Sequence, residues 1–514
     1  GVGVGSPPLP PAQRNYYSCL IDGTQTDEEG RLRKDAQGRM VPTYRIELPG
    51  MPILGNGKSD NQNCALPFTR GPILQAIDCN QEGYLEEALK LPCALREFEA
   101  SRGAGITDAP KPPTIVGFRE HIFSGLGLLG DLAASSELCF GTLVQRTMSD
   151  PLYCRYHYGH PDMLDKLALL AQGGVSKATK DLNLSEDVFA GMDATLRGHT
   201  IVHREYFQVG KGRDLGAITI LQFFSKLSQG TAQMTTSRQA LRLGLRLGFG
   251  RLLGFYYAHI GYYLGQLHYY HAAYLQLALT LGGALCEGTG VLPGAGAPAA
   301  ALFNGLYGSL SLLFFACSVL PLALALVVEE GPRTAVLKPL WQLARLSPLF
   351  YLLQSRAIAH YFSMEFAVGG ASYIPTGRGL AISHQRFSEL YASFAASSTY
   401  PGAELLLMLV LPRLACPALA LSRWAVAFAA LTPIALLLGP ALFNPRALVL
   451  TEVRADLADW LRWLGRRTPR REAFAAANSW SDFHAIRQED KARVRSHALL
   501  LPSKELLLAL PLLL

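Results

Sequence analysis

Residues 252–286 read LLGFYYAHIGYYLGQLHYYHAAYLQLALTLGGALC, 35 consecutive positions without an Asp, Glu, Lys or Arg. Past Glu287, residues 288–328 add another 41 uncharged positions. A helix crosses a bilayer with about 20 predominantly apolar residues, so each run has the length for at least one crossing. The first 251 residues contain nothing comparable. Of the 514 residues only 17% are charged, against about 25% in an average soluble domain, and the deficit sits in the second half. The composition predicts a soluble domain, α/β by its alternation of strand and helix patterns through residue 235, joined to a helical polytopic membrane domain, rather than one large soluble enzyme.

The charge balance, 47 basic against 40 acidic residues or +7, is accounted for by basic flanks of membrane segments, and no nucleic-acid partner is expected. The 9 cysteines form no C-x-x-C pair, so neither a zinc site nor a disulfide framework is expected, and a reducing cytosolic face is the default. The chain opens on GVGVGSPPLPP without Met or signal peptide and closes on ALLLPSKELLLALPLLL. Both ends are expected to be internal to a longer protein.

Working outward, residues 1–14 are a Gly/Pro-rich lead-in and 15–236 the cytosolic domain. Strands are expected at Tyr44–Leu48 and Ile73–Ile77, and a helical stretch at Leu85–Phe98 broken by Pro92. Residues 237–253 place Arg238, Arg242 and Arg246 at i, i+4, i+8 on one helix, the spacing of a helix lying among lipid phosphates. Residues 254–330 and 403–446 are expected as transmembrane helices, 331–402 as cytosolic or interfacial helices, 447–498 as a cytosolic segment and 499–514 as the start of a further span. The tyrosines and histidines of residues 256–274 fit an interfacial aromatic belt or, alternatively, the wall of a polar conduit.

Several polar clusters carry possible chemistry. Gly55–Ser59 (GNGKS) fails the phosphate-loop pattern because Pro52 stands where Gly is required. Even so, Lys58 followed by Asn61 and Asn63 is a dense donor set for a diphosphate, or else a polar surface turn. Gly210–Asp214 (GKGRD) puts Lys211 and Arg213 on a second Gly-flanked turn, again a phosphate candidate or an ordinary loop. Glu186 and Asp187 follow Asn183-Leu184-Ser185 at a helix start, either as capping charges or as a general base. His157–Asp162 (HYGHPD) has two histidines and an Asp without a metal-ligand pattern, and a structural turn is expected. No D-x-D pair occurs.

Taken together, YRIELPGMPILGNGKSDNQN (44–63), FTRGPILQAIDCNQEGYLEEALK (68–90), HYGHPDMLDK (157–166), GGVSKATKDLNLSEDVFAGMDATLRG (173–198), EYFQVGKGRDLG (205–216), FYYAHIGYY (255–263) and YIPTGRGLAISHQRFSELY (373–391) resemble the catalytic subunit of 1,3-β-glucan synthases, the fungal cell-wall and plant callose synthase family. The segment before GHPD leans toward the callose branch. The resemblance implies a GT-A-like cytosolic glycosyltransferase domain, present in part, followed by the polytopic helical domain, in a multi-pass protein of the plasma membrane. It implies processive, inverting transfer of glucose from UDP-glucose to a growing β-1,3-glucan that leaves through the membrane. A small-GTPase regulatory subunit is implied in the same way. No cofactor is certain, a divalent cation (Mg or Ca) being possible. By motif it implies Glu186 as general base with Asp187 beside it, Lys58 and Lys226 on the leaving diphosphate, and Asp78 on the sugar or uridine; Asn61, Asn63, Lys211 and Arg213 join the substrate site. One departure stands out: Gln233-Met234 occupy the place of the family's Glu-Gln pair ahead of Ser237-Arg238. The competing reading is a synthase-like transporter or scaffold subunit without catalysis.

Overall fold

The computed structural model describes residues 15–27, 30–48, 59–78, 80–99, 112–125, 127–157, 159, 161–177, 184–213, 216–369, 384–444 and 449–465. Strands β1 (Tyr16–Leu20) and β2 (Tyr44–Leu48) pair antiparallel as a small ribbon. The main sheet has five strands: β3 (Ile73–Gln75), β4 (Gln81–Glu82), β5 (Pro113–Ile122), β6 (Met163–Asp165) and β7 (Thr200–Lys211), in the order β3-β6-β5-β7-β4. The central β5 and β7 run parallel and their neighbours antiparallel, so the sheet is mixed.

Side-chain alternation builds a layer on each sheet face. Ile115 and Leu164 pack with Leu66, Leu169 and Ala190 on one side, while Val116, Phe118 and Met163 pack with Phe98, Phe207 and Val209 on the other. The surrounding helices are α1 (Ser59–Ala65), α2 (Leu85–Ala88), α3 (Leu91–Glu97), α4 (Gly127–Glu137), α5 (Gln145–Ser149), α6 (Lys166–Leu170) and α7 (Glu186–Leu196). The stretch at 85–98 is two helices, with Pro92 in the first turn of α3, where its missing N–H costs nothing. The strand expected through Ile77 ends at Gln75.

One close approach fixes how α7 sits. Gly191 lies against the backbone of Tyr156, and a Cβ there would overlap the Tyr156 carbonyl oxygen. Gly191→Ala is expected to cost about 2 kcal/mol, because the overlap with backbone exceeds the helix-propensity gain of Ala. A lowered midpoint in a thermal melt checks it.

The rest is helical: α8 (Ala217–Thr235), α9 (Arg238–Arg246), α10 (Phe249–Phe255), α11 (Gly261–Gly288), α12 (Gly296–Asn304), α13 (Ser311–Glu330), α14 (Pro332–Ala344), α15 (Ser347–Ala367), α16 (Phe387–Ser393), α17 (Tyr400–Ala415), α18 (Arg423–Leu442) and α19 (Leu450–Leu464). Single turns of wider π-helix join α10 to α11 (Tyr256–Ile260) and α12 to α13 (Gly305–Leu310). Phe350, Leu353, Ile358 and Phe362 are at most 1% exposed, so α15 runs through the middle of the helical packing. Ala217 and Leu221 tie α8 into the same core, which links sheet and helices.

One boundary needs correction. Arg238, Arg242 and Arg246 do share one helix, but it does not reach residue 253: α9 ends at Arg246, and Leu247 and Gly248 take extended backbone before α10. Arg246 turns back and donates to the Leu196 carbonyl at the end of α7, as a cation capping a helix C-terminus. Nor are the tyrosines of α11 simply a belt. Tyr269 shares a hydrogen bond with Thr432 at 2.8 Å, Tyr270 donates to the Leu352 carbonyl at 2.8 Å and Tyr274 to Glu404 at 2.8 Å. These hydroxyls stitch α11 to its neighbours.

Among the described residues, α18 is the helix long and apolar enough to cross a membrane, joined by residues 387–415 if that pair, bent by 70°, counts as one span. The uncharged run of α11 falls short because uncharged is not apolar: Gly, Gln, His and Tyr dilute its leucines.

Candidate functional site

The site grows from the ends of the central strands. Glu120 near the end of β5 is 7% exposed, and Lys211 ends β7. The Lys211 ammonium sits 2.7 Å from Glu120 Oε1 and 3.2 Å from Asp78 Oδ2. Gln81 closes the group by accepting from the Asp78 amide at 2.8 Å and donating to Glu120 at 3.3 Å. Two residues on, Arg213 pairs with Glu137 of α4, and its guanidinium lies 4.3 Å from the centre of the Phe223 ring on α8. The Arg213 backbone is locked to Ser124 in both directions, Arg213 N–H donating to Oγ at 2.7 Å and the hydroxyl donating to the Arg213 carbonyl at 3.0 Å.

Helix α8 carries this line to the carboxylates. Phe223, Lys226 and Gly230 fall on one helix face by their i, i+3, i+7 spacing. At Gly230 a Cβ would collide with the Ser185 hydroxyl, so the start of α7 rests directly on α8. Lys226, half-buried, falls on α8 between Phe223, which meets Arg213, and Gly230, which meets Ser185. Glu186 is 4% exposed in the first turn of α7 with Asp187 beside it, where the helix dipole favours negative charge. Asp187 Oδ2 is 3.0 Å from His157 Nε2. Burial opposes protonation of His157, but the charge and hydrogen bond of Asp187 outweigh it and raise the imidazole above its ordinary value.

The structure thus brings together Asp78, Lys211 and Arg213 from the motif-derived set, and places Glu186 and Asp187 in the first turn of α7 and Lys226 on α8. Lys58 and the side chain of Asn61 lie outside the described residues, as do residues 373–383. Asn63 spends its amide on the backbone of Ser176, donating to the carbonyl at 2.7 Å and accepting from the N–H at 3.2 Å, which pins the loop at 173–177. Three acids and bases escaped the motif reading: Glu120, Glu137 and the partnership of His157. The signal for Glu120 was present, since a charge inside the apolar strand PTIVGFREHI requires a partner when buried. Among the described residues no group of three His, Cys, Asp or Glu is placed to hold a metal ion.

Glu120 is the titratable member of this group. Burial, and then the nearby charge of Glu137, push its carboxyl up to about 7 against the pull of Lys211 and Arg213. Glu137, buried too, is held below the ordinary range by Arg213 and Lys211. With a folded value above the unfolded one, the native state binds more protons than the unfolded chain between roughly pH 4.5 and 7, so this group's contribution to stability falls as pH rises through that window. Glu120→Gln is expected to raise the melting midpoint at pH 8 and to change it little at pH 4.5, as checked by parallel melts.

The 1,3-beta-glucan synthase component family model matches residues 8–505. The chain is 38% identical over 503 residues to a 1,3-beta-glucan synthase component of Cordyceps militaris, covering 93% of this chain and 25% of that protein. It is 37% identical over 521 residues to the 1,3-beta-glucan synthase component bgs3 of Schizosaccharomyces pombe, covering 96% and 27%. Callose synthase 7 of Arabidopsis thaliana is 35% identical over 494 residues, covering 93% and 24%. The chain belongs to the 1,3-β-glucan synthase family. It spans about a quarter of the length of these curated relatives, and the similar identities to fungal and plant proteins give the callose branch no advantage.

Proposed function

We propose that this chain is the catalytic heart of a membrane-embedded, inverting glucosyltransferase that takes glucose from UDP-glucose and extends a β-1,3-glucan. The observation that carries the reading is the cluster of Asp78, Lys211 and Arg213 at the ends of the central strands, an acid with two cations suited to a diphosphate, beside a helix α8 that meets Arg213 at Phe223 and the start of α7, where Glu186 stands, at Gly230. Inversion at the anomeric carbon is one in-line displacement. Glu186 takes the proton from the acceptor 3-hydroxyl, and Lys58, Lys226 and Arg213 stabilise the charge growing on UDP. Asp78, held by Lys211, orients the donor.

In this reading the mixed sheet and its helices form a partial GT-A-like domain on the cytosolic side, and the helices after residue 254 belong to a multi-pass unit of the plasma membrane, through which a processively made polymer leaves. Leu312, Leu313, Leu320 and Leu324 of α13 and Leu407 and Leu414 of α17 are all exposed, as a lipid-facing surface requires. A small GTPase is a proposed regulator on family grounds alone. The test supplies the intact protein in detergent with radiolabelled UDP-glucose and treats the product with a β-1,3-glucanase. Labelled polymer that this enzyme degrades supports the reading; no polymer, or polymer that resists it, overturns it.

A further inference from the structure

We propose that the cleft between α4, α14 and the end of α13 binds an anionic phospholipid, its phosphate among Arg333, Lys338 and Arg345 and its chain along α13. The polar part is a cavity of about 520 Å³ lined by Asp131, Glu330, Arg333, Lys338, Trp341 and Arg345. Two of its three cations are already matched: Arg345 to Asp131 at 2.7 Å and Lys338 to Glu330 at 3.0 Å. Arg333 leaves the cavity with one excess positive charge, the complement of a phosphodiester. The Arg345 Nε is buried with no hydrogen-bond partner, while its guanidinium lies 5.5 Å from the centre of the Trp341 ring. Trp beside cations is also the composition of a headgroup-level site.

The second observation is what adjoins the cavity. Lys338 also borders a narrow apolar cleft of about 50 Å³, lined by Leu138 and Leu143 on one side and Leu322, Ala325 and Leu326 on the other. From Leu322 to Glu330 the helix rises on the order of 12 Å, so the apolar cleft and the cationic cavity follow each other along α13 as chain root and phosphate do in a lipid. Beyond the cleft the exposed Leu320 and Leu324 continue the apolar track. A soluble phosphate compound uses only the cavity; a lipid uses both. The site joins α4, beside the sheet, to α13 and α14, which Arg146 bridges a second time by pairing with Glu205 of β7 and Glu329 of α13 at 3.3 and 2.8 Å.

The inference rests on the reading that α13 lies in a bilayer. The intact protein is reconstituted into nanodiscs of phosphatidylcholine with a minor fraction of phosphatidylserine, and retained lipid is counted by native mass spectrometry. Phosphatidylserine is expected to be retained over phosphatidylcholine. Retention should fall at least about tenfold in Arg333→Glu, since each cation near an anionic headgroup contributes about a factor of five, and by a smaller factor in Arg333→Gln. Ala325→Phe, which fills the apolar cleft, should release lipid as well. Arg39→Glu, at an exposed residue that pairs with Asp35 and lines neither cavity, should change nothing. Unchanged retention in Arg333→Glu, equal retention of the two lipids, or displacement by soluble glycerol phosphate as effective as by lipid each overturns the proposal. Whether the protein stays in alkali-washed membranes is scored separately, so failure of the membrane reading is distinguished from failure of the site.

Discussion

Glu186→Gln is expected to lower glucan synthesis from UDP-glucose by about 10³-fold, within the ~10²–10⁴ range for loss of a general base. The amide keeps the shape of the side chain and can still accept a hydrogen bond, but it cannot take the proton of the incoming 3-hydroxyl. Glu186 is 4% exposed at the start of α7, and the seat of that helix is set by the contact of Ser185 with Gly230, so the substitution leaves the backbone in place. The loss should fall on kcat while KM for UDP-glucose moves little, the pattern of an interaction made only in the transition state. Asp187→Asn is the contrast. That carboxylate is engaged by His157 at 3.0 Å, so its removal disturbs the position of α7 and is expected to cost about tenfold, a loss typical of a positioning group. Steady-state rates with radiolabelled donor check both. A larger loss for Asp187→Asn than for Glu186→Gln would transfer the role of base to Asp187.

The residues that carry local signals were legible in the sequence. Tyr44–Leu48 is the strand its alternation predicts, Glu186 opens a helix after Ser185, and in HYGHPD the Asp162 carboxylate accepts from the Gly159 amide. Lys211 and Arg213 stood out because glycines flank them. What could not be read was pairing across long separations. Glu120 and Glu137 acquire their meaning only when β5 and β7 align in parallel and bring the ends of both strands to one edge. The helical half hides its contacts in a different way. Absence of charge says nothing of hydroxyls: α11 uses those of its tyrosines to bond neighbouring helices, and Arg356 of α15 settles 5.3 Å from the centre of the Tyr270 ring. A charge count cannot distinguish a polar side chain facing a helix neighbour from an apolar one facing lipid.

Arg155→Leu is expected to cost about 3–5 kcal/mol, the loss for breaking a buried ion pair from one side. Arg155 is 3% exposed and Asp162 fully buried, with 2.7 Å between them. The guanidinium also donates to Gln145 of α5 at 3.0 Å and to the Val202 carbonyl of β7 at 3.3 Å, while Asp162 accepts from the Phe118 amide of β5 at 3.0 Å and from Gly159 at 2.7 Å. One pair therefore fastens two central strands and a helix. Gly117 completes the arrangement, since any Cβ there would occupy the place of the guanidinium. With the arginine gone, the carboxylate stays in an apolar interior with two backbone donors but no countercharge. Adding Asp162→Asn should restore part of the stability, because the amide removes the buried charge and its oxygen still accepts from Phe118. Unfolding of a protein this size is scored best as a half-life of inactivation on heating, and the double variant should outlast the single one. Activity should follow the same order even below the unfolding temperature. His157, the partner of Asp187, lies in the loop that this ion pair closes, so loosening the pair frees the imidazole that steadies the start of α7.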